Sequence, residues 1–223
     1  MTVLWAPSTL MPNSMLNTDM AGMHHDLPDP LVVMALEQES DGLFRRAAIP
    51  VLYTGVGKVN ATYYLTLKLT EYGREKKPLP LVINFGTAGS RSFPVGSLVA
   101  CNAFFQRDMN ATALGFDIGA TPFDGAPLTL QFPAVVTELP HAVCGTGDSF
   151  STSHAGAQCS VVDMEAYALA KVCRLQGATF TSVKYITDGA DSEAGVSWQE
   201  NLRKAAEGFL AIHAELIRHR EPR

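Results

Sequence analysis

From Leu31 onward, short apolar runs rich in β-branched side chains alternate with stretches that repeat at helical spacing, and few folds accommodate that alternation. The runs read as strands Leu31–Leu36, Ile49–Thr54, Leu81–Phe85, Ser97–Phe105, Ala134–Glu138, Ala142–Gly145, Gln158–Val162 and Phe180–Thr187. Helices are predicted from about Val59 to Tyr72 and from about Met164 to Leu175, the second stopped by Gly177. A last helix is signalled by Ser197 and Glu200 as a capping box, with Leu202, Ala205, Ala206, Phe209, Ile212 and Leu216 on one face. A parallel strand neighbour needs a crossover long enough to hold a helix, so this order predicts one α/β domain with much parallel pairing.

In such sheets the ligand crevice opens beyond the carboxyl ends of the strands. Three acids sit at such places. Asp188 ends the run Phe180 to Thr187 and is followed at once by Gly189, Glu39 comes just after the first strand, and Glu165 comes just after Cys159-Ser160-Val161-Val162. A strand behind each carboxylate holds it rigid, and the three together read as an active site. The run Asn84-Phe85-Gly86-Thr87-Ala88-Gly89-Ser90 follows Leu81, Val82 and Ile83. Its small residues predict a tight turn through which a flat ligand reaches the main chain, although many strand ends turn this way without a ligand. Gly55-Val56-Gly57-Lys58-Val59-Asn60-Ala61 lacks both the P-loop spacing and the third glycine of a dinucleotide fingerprint. It reads as a strand-to-helix connection with Lys58 in solvent.

The formal charge is −5 and no run of Lys or Arg exceeds two residues, which argues against nucleic acid and favours a small-molecule partner. Cys101, Cys144, Cys159 and Cys173 are too far apart for a metal or redox motif and read as reduced core thiols, and the histidines show no ligand spacing. Neither a metal nor a cofactor is expected. No apolar stretch approaches the ~20 residues that span a bilayer, so no membrane partner is expected and the cytoplasm is the expected location. Residues 1–29 read as a loosely ordered extension, and Met1 to Leu10 lacks the basic start and apolar middle of a signal peptide. Pro122 to Pro140 reads as a loop with at most one edge strand, and Ser149 to Ala157 as a flexible flap or a plain surface loop.

Taken in order, Ala35-Leu36-Glu37-Gln38-Glu39, Gly55 to Ala61, Asn84 to Gly89, Gly145-Thr146-Gly147-Asp148-Ser149-Phe150, Val162-Asp163-Met164-Glu165-Ala166 and Ile186-Thr187-Asp188 resemble the 5′-methylthioadenosine/S-adenosylhomocysteine nucleosidases of the nucleoside phosphorylase superfamily. The likeness runs from about Pro30 to the C-terminus. It implies a single nucleoside phosphorylase-like α/β domain over residues 30–223, with helices flanking a mixed, twisted and partly barrel-like sheet.

The resemblance further implies a purine nucleoside across the strand ends, with Asp188 at the base, Met164 and Glu165 at the ribose, and Glu39 beside the anomeric carbon. Adenine leaves poorly as an anion, so an acid must protonate N7 as the C–N bond breaks, and Asp188 is the candidate. A helix cap is its alternative use. The sugar gains oxocarbenium character, and a second carboxylate must prime water on the opposite face. Glu39 is that candidate; Glu37 points elsewhere on an extended chain, an argument that weakens if the turn is helical. Glu165 suits the ribose hydroxyls, and Asp163 stands where the family often has Glu. Phe150 matches the purine-stacking aromatic, the backbone of Ser151 reads the base edge, and Thr87, Ala88 and Gly89 line the opposite wall, with Thr187 beside the acid.

Water rather than phosphate is the expected nucleophile, because phosphate needs cationic hosts and Asn84 stands where phosphorylase relatives carry Arg. Arg45, Arg46 or Arg107 supplying charge from elsewhere keeps phosphorolysis as the alternative, and a nucleoside-binding protein without turnover is a third reading. Only Asp41 to Ile49 links Glu39 to the next strand, so a hairpin usual in these nucleosidases is missing, and Pro122 to Pro140 lacks a usual helix. Arg107 to Phe116 resembles the segment that crosses a homodimer interface, placing Leu114, Phe116 and Pro122 near the neighbour's site. Core packing of Leu114 and Phe116 is the competing use.

Overall fold

The computed structural model describes residues 30–150, 158–189 and 194–218. Among these residues eight strands form one sheet: β1 Leu31–Met34, β2 Val51–Tyr53, β3 Val82–Gly89, β4 Leu98–Gln106, β5 Thr129–Gln131, β6 His141–Thr146, β7 Val161–Asp163 and β8 Phe180–Asp188. Five of them close on themselves. β3 pairs with β7, β7 with β6, β6 with β4, β4 with β8, and β8 returns to β3. The ring is mixed, since β3–β7 and β4–β8 are antiparallel while the other three contacts are parallel. β1 and β2 extend the sheet from β3, and β5 extends it from β4. The expected α/β, partly barrel-like architecture is therefore the observed one.

Helices cover both sides because the strands are apolar on both faces; all nine residues of β8 are buried. α2 (Lys58–Arg74) turns Ala61, Leu65 and Leu69 inward toward α3 (Ala166–Gln176), whose end is set by Gly177 at φ 79°. α4 (Ala194–Arg218) covers the other side. Ala205, Phe209, Ile212 and Leu216 bury the stripe anticipated from their spacing, and Phe209 stacks on Phe85 with ring centroids 5.2 Å apart.

The strand expected at Ala134–Glu138 and the capping box expected at Ser197 need correction, whereas the loop from Pro122 to Pro140 and the missing hairpin after Glu39 are as expected. Ala134–Glu138 is not a strand: Pro133 offers no N–H to continue the ladder, and Val136 is buried instead beside residues of α4. The edge strand of that region is β5, within the apolar patch just before Pro133, and no helix forms between Pro122 and Pro140. The connection after Glu39 folds as a 3-10 turn, Glu37–Ser40, and a one-turn helix, α1 (Leu43–Arg46), with no hairpin. α4 is already helical at Ala194, so Ser197 lies inside it and does not open it. The N-terminal extension, Ser151, most of the Ser149–Ala157 flap and the side chains of Ser197 and Glu200 lie outside the described residues.

Candidate active site

A cavity of about 250 Å³ opens where β1, β3, β7 and β8 end. Glu39, Thr87, Ala88, Gly89, Phe150, Asp163, Met164, Glu165, Thr187 and Asp188 line it, so every described residue assigned to the nucleoside from sequence reaches one space. Ala35, Leu36, Val56, Arg107, Ser149 and Val162 complete the wall. Strand ends, glycine-rich turns and short loops converge there, as the crevice rule for α/β sheets requires.

Glu39 reaches the cavity because β1 passes into the 3-10 turn, which buries Glu39 and leaves Glu37 exposed. The choice between the two acids thus follows from a tight helical turn, not from alternation along an extended chain. Four donors meet the Glu39 carboxylate. Oε2 accepts from Ala35 N at 3.0 Å and Leu36 N at 3.1 Å, and Oε1 from Thr87 N at 2.9 Å and Thr87 Oγ1 at 3.2 Å. The hydroxyl contact is the longest, and it is the one a bound water can replace without disturbing the backbone.

Asp188 closes β8 opposite Gly89, where the β3–β8 register shifts. Its carboxylate is buried and accepts from Thr187 Oγ1 at 2.8 Å, while its backbone oxygen takes Ser90 N at 3.0 Å and pins the glycine-rich turn.

Glu165 is the N-cap residue of α3, yet its side chain caps nothing there. Oε1 instead accepts Gly57 N at 2.9 Å, at the start of α2. Asp163 does the local work, accepting Ala166 N at 2.8 Å and the Thr146 hydroxyl. Asp163 also forms a 2.8 Å ion pair with Lys184, a residue absent from the sequence-based site. Lys184 is 1% exposed and donates to Asn84 Oδ1 as well, at 2.8 Å. A Cβ at Gly86 would stand 3.0 Å from Lys184 Nζ and 3.5 Å from Glu39 Oε1, so glycine is what lets these groups approach. A signal for Lys184 was present: a lone Lys inside an otherwise apolar strand flanked by helices has to find an acid.

The charges settle accordingly. Burial pulls the Lys184 ammonium down, but Asp163 and its neighbours outweigh this and leave it above the ordinary lysine value. Burial pushes Asp163 up, and Lys184 together with the hydrogen bonds from Thr146 and Ala166 N–H more than offsets it, so Asp163 is lowered. Glu165 is pushed up to about 8, first by burial and then by the Asp163 charge, against relief from Lys184 and Gly57 N–H. Between 4.5 and about 8 the folded protein therefore binds a proton that the unfolded chain releases, so stability falls as pH rises through that window. Glu165→Gln should consequently melt higher than the parent above pH 8, with the gap closing toward acid pH. Parallel melts in which the gap did not vary with pH would remove the buried charge as its cause.

Lys58 is not in solvent as expected. Its ammonium lies 2.6 Å from Asp108 and 3.6 Å from Asp148, with the side chain 16% exposed. Burial in the chain's own core does not occupy Leu114, which is 71% exposed; Phe116 packs edge-on against Phe123, itself 92% exposed. Asn84 lies inside the barrel, donating to Val33 O at 3.2 Å and accepting from Ser182 and Lys184. Arg45 and Arg46 are exposed and do not line the cavity, whereas Arg107 does, with its guanidinium on the backbone oxygens of Gly147 and Ser149. Among the described residues no cluster of His, Cys, Asp or Glu could hold a metal ion, and no helix is long and apolar enough to cross a membrane.

A family model described as the phosphorylase superfamily matches residues 42–218. The 5′-methylthioadenosine/S-adenosylhomocysteine nucleosidase of Baumannia cicadellinicola is 32% identical over 189 residues, covering 76% of this chain and 80% of its own. The nucleosidase of the same name from Marinomonas is 31% identical over 198 residues, covering 79% and 84%. Among solved structures, the Neisseria meningitidis nucleosidase in complex with methylthio-immucillin-A superposes with a TM-score of 0.73 at 23% identity, covering 84% of this chain and 97% of its own. The Helicobacter pylori futalosine hydrolase has a TM-score of 0.71 at 21% identity, covering 83% and 97%.

Proposed function

The chain belongs to the phosphorylase superfamily, in its family of 5′-methylthioadenosine/S-adenosylhomocysteine nucleosidases, and from that premise we propose that it hydrolyses the N-glycosidic bond of 5′-thioether adenine nucleosides and releases adenine. The observation that carries this reading is the opening of Glu39, Glu165 and Asp188 onto one cavity. Asp188 gives its proton to N7 as the C1′–N9 pair leaves with the base. Glu39 takes a proton from water whose oxygen bonds to C1′, so the products are free adenine and the free thioether sugar. Glu165 hydrogen-bonds the ribose hydroxyls with Met164 beside the sugar, and a polar group fixed there holds the sugar in place while charge builds on the ring. Phe150, half-exposed and lining the cavity, stacks on the purine, with Thr87, Ala88, Gly89 and Thr187 on the strand-end wall. Asp163 is better assigned to holding Lys184 and the α3 N-terminus than to touching substrate.

Water is favoured over phosphate because the Lys184 charge is spent on Asp163 and sealed behind Gly86. Phosphorolysis keeps one supporting observation, the presence of Arg107 on the wall, but that guanidinium is engaged with loop carbonyls. The deciding assay follows 5′-methylthioadenosine in phosphate-free buffer. Adenine and free methylthioribose are expected, and a sugar 1-phosphate appearing only with added phosphate would transfer the chain to the phosphorylases.

We further assign the exposed apolar segment around Leu114, Phe116 and Pro122 to a homodimer interface beside the neighbour's cavity, on the exposure of Leu114 and Phe123. Leu114→Glu should shift sedimentation from dimer toward monomer and raise KM; a monomeric parent protein would dispose of the idea. No disulfide links the described cysteines, which fits a reducing compartment, and we place the enzyme in the cytoplasm.

A further inference from the structure

We propose that Lys58, which does not line the cavity, is the positioning residue that locks the base-stacking loop to the ribose carboxylate; this rests on the reading above. The N–H groups of the α2 N-cap and of its first residue meet two different carboxyl groups. Gly57 N donates to Glu165 Oε1 at 2.9 Å, and Lys58 N donates to Asp148 Oδ1 at 2.8 Å. Asp148 lies in the loop that carries Ser149 and Phe150, so one helix start ties the ribose side of the cavity to the base side.

The tie is closed into a ring. Asp148 N donates to Asp108 Oδ2 at 2.9 Å, and Lys58 Nζ bridges Asp108 Oδ1 at 2.6 Å and Asp148 Oδ2 at 3.6 Å. Its charge lets the two aspartates stand together, and the Lys58 ammonium and Asp148 N–H hold Asp108 below the usual carboxylate range against the opposing effect of burial. Arg107, the residue before Asp108, meanwhile holds the oxygens of Gly147 and Ser149. A Cβ at Gly57, whose φ is 94°, would sit 3.2 Å from Asp148 Oδ1, so the contact also needs glycine there. Without the ammonium, two like charges face each other across the ring. Asp148 then leaves the α2 N-terminus, and Phe150 loses its register with Glu165. The long lysine stem is already packed, so methionine replaces it with little loss of apolar contact.

The test uses the full chain and two readouts, hydrolysis of 5′-methylthioadenosine and calorimetric binding of adenine. Lys58→Met should raise KM and weaken adenine binding by about 10-fold or more while kcat changes much less, since the groups in contact with the reacting atoms are intact. Lys58→Arg should recover most of the loss. Adding Asp108→Asn to Lys58→Met should recover part of it, because the damage is repulsion between the two aspartates. A Lys58→Met protein with parental KM and adenine affinity but a lower melting temperature overturns the proposal, as does one that does not fold, since either outcome assigns Lys58 to stability alone. An added Asp108→Asn that worsens Lys58→Met also overturns it. A parent protein that binds adenine but hydrolyses nothing removes the proposed activity while adenine affinity in Lys58→Met still decides this point.

Discussion

Asp188→Asn should fold as the parent does, bind adenine, and release it from methylthioadenosine about 10²- to 10⁴-fold more slowly, the range that a positioned proton donor contributes. Asparagine has the same shape, and its oxygen still accepts the Thr187 hydroxyl that meets Oδ2 at 2.8 Å. The Asp188 backbone oxygen continues to hold Ser90 N, so the glycine-rich turn stays in place. What is lost is the proton itself: an amide can hydrogen-bond to N7 but cannot protonate it. The defect should therefore appear in kcat more than in KM. It should also shrink for a nucleoside whose base departs readily as an anion, because that substrate asks less of the acid. Parental turnover in Asp188→Asn, or an equal defect on both substrates, would take Asp188 out of the acid role.

Glu39→Gln should be comparably slow, by about 10²- to 10⁴-fold, but unlike the Asp188 variant it should also be less stable. All four contacts of the Glu39 carboxylate are donors: Ala35 N and Leu36 N on one oxygen, Thr87 N and the Thr87 hydroxyl on the other. A glutamine side chain offers one oxygen and one NH₂, so whichever way it turns at least one backbone N–H faces another donor. An unmade bond of that kind costs about 1–3 kcal/mol, and the 3-10 turn is where the strain falls. Paired measurements of kcat and thermal midpoint separate the effects. A variant with a lowered midpoint and near-parental kcat would leave Glu39 as a brace for the Thr87 turn and send the search for the base elsewhere.

Both variants act on residues that stand out in the sequence, and the reason they do so is local. A carboxylate directly after an apolar β-branched run, with glycine behind it, marks the end of a buried strand whatever the rest of the chain does; Asp188 and Gly189 are of this kind. The α4 stripe was legible for the same reason, since Ala205, Phe209, Ile212 and Leu216 carry their burial in their spacing. Local patterns fail where partners are distant. Ala134–Glu138 has strand composition but no neighbouring strand, because Pro133 ends the pairing and α4 claims its apolar side chains. Lys58 reads as a surface residue until β4 and the loop after β6 bring Asp108 and Asp148 to it.

The alternation of strands and helices, the α/β class and the candidate acids follow from the chain alone, because hydrophobic periodicity and strand-end chemistry are properties of neighbouring residues. Closure of five strands into a ring and the pairing of Lys184 with Asp163 across that ring belong to the tertiary structure. These depend on groups far apart in sequence whose cost of burial is met only when they meet, and no local pattern records which distant residue will supply the opposite charge.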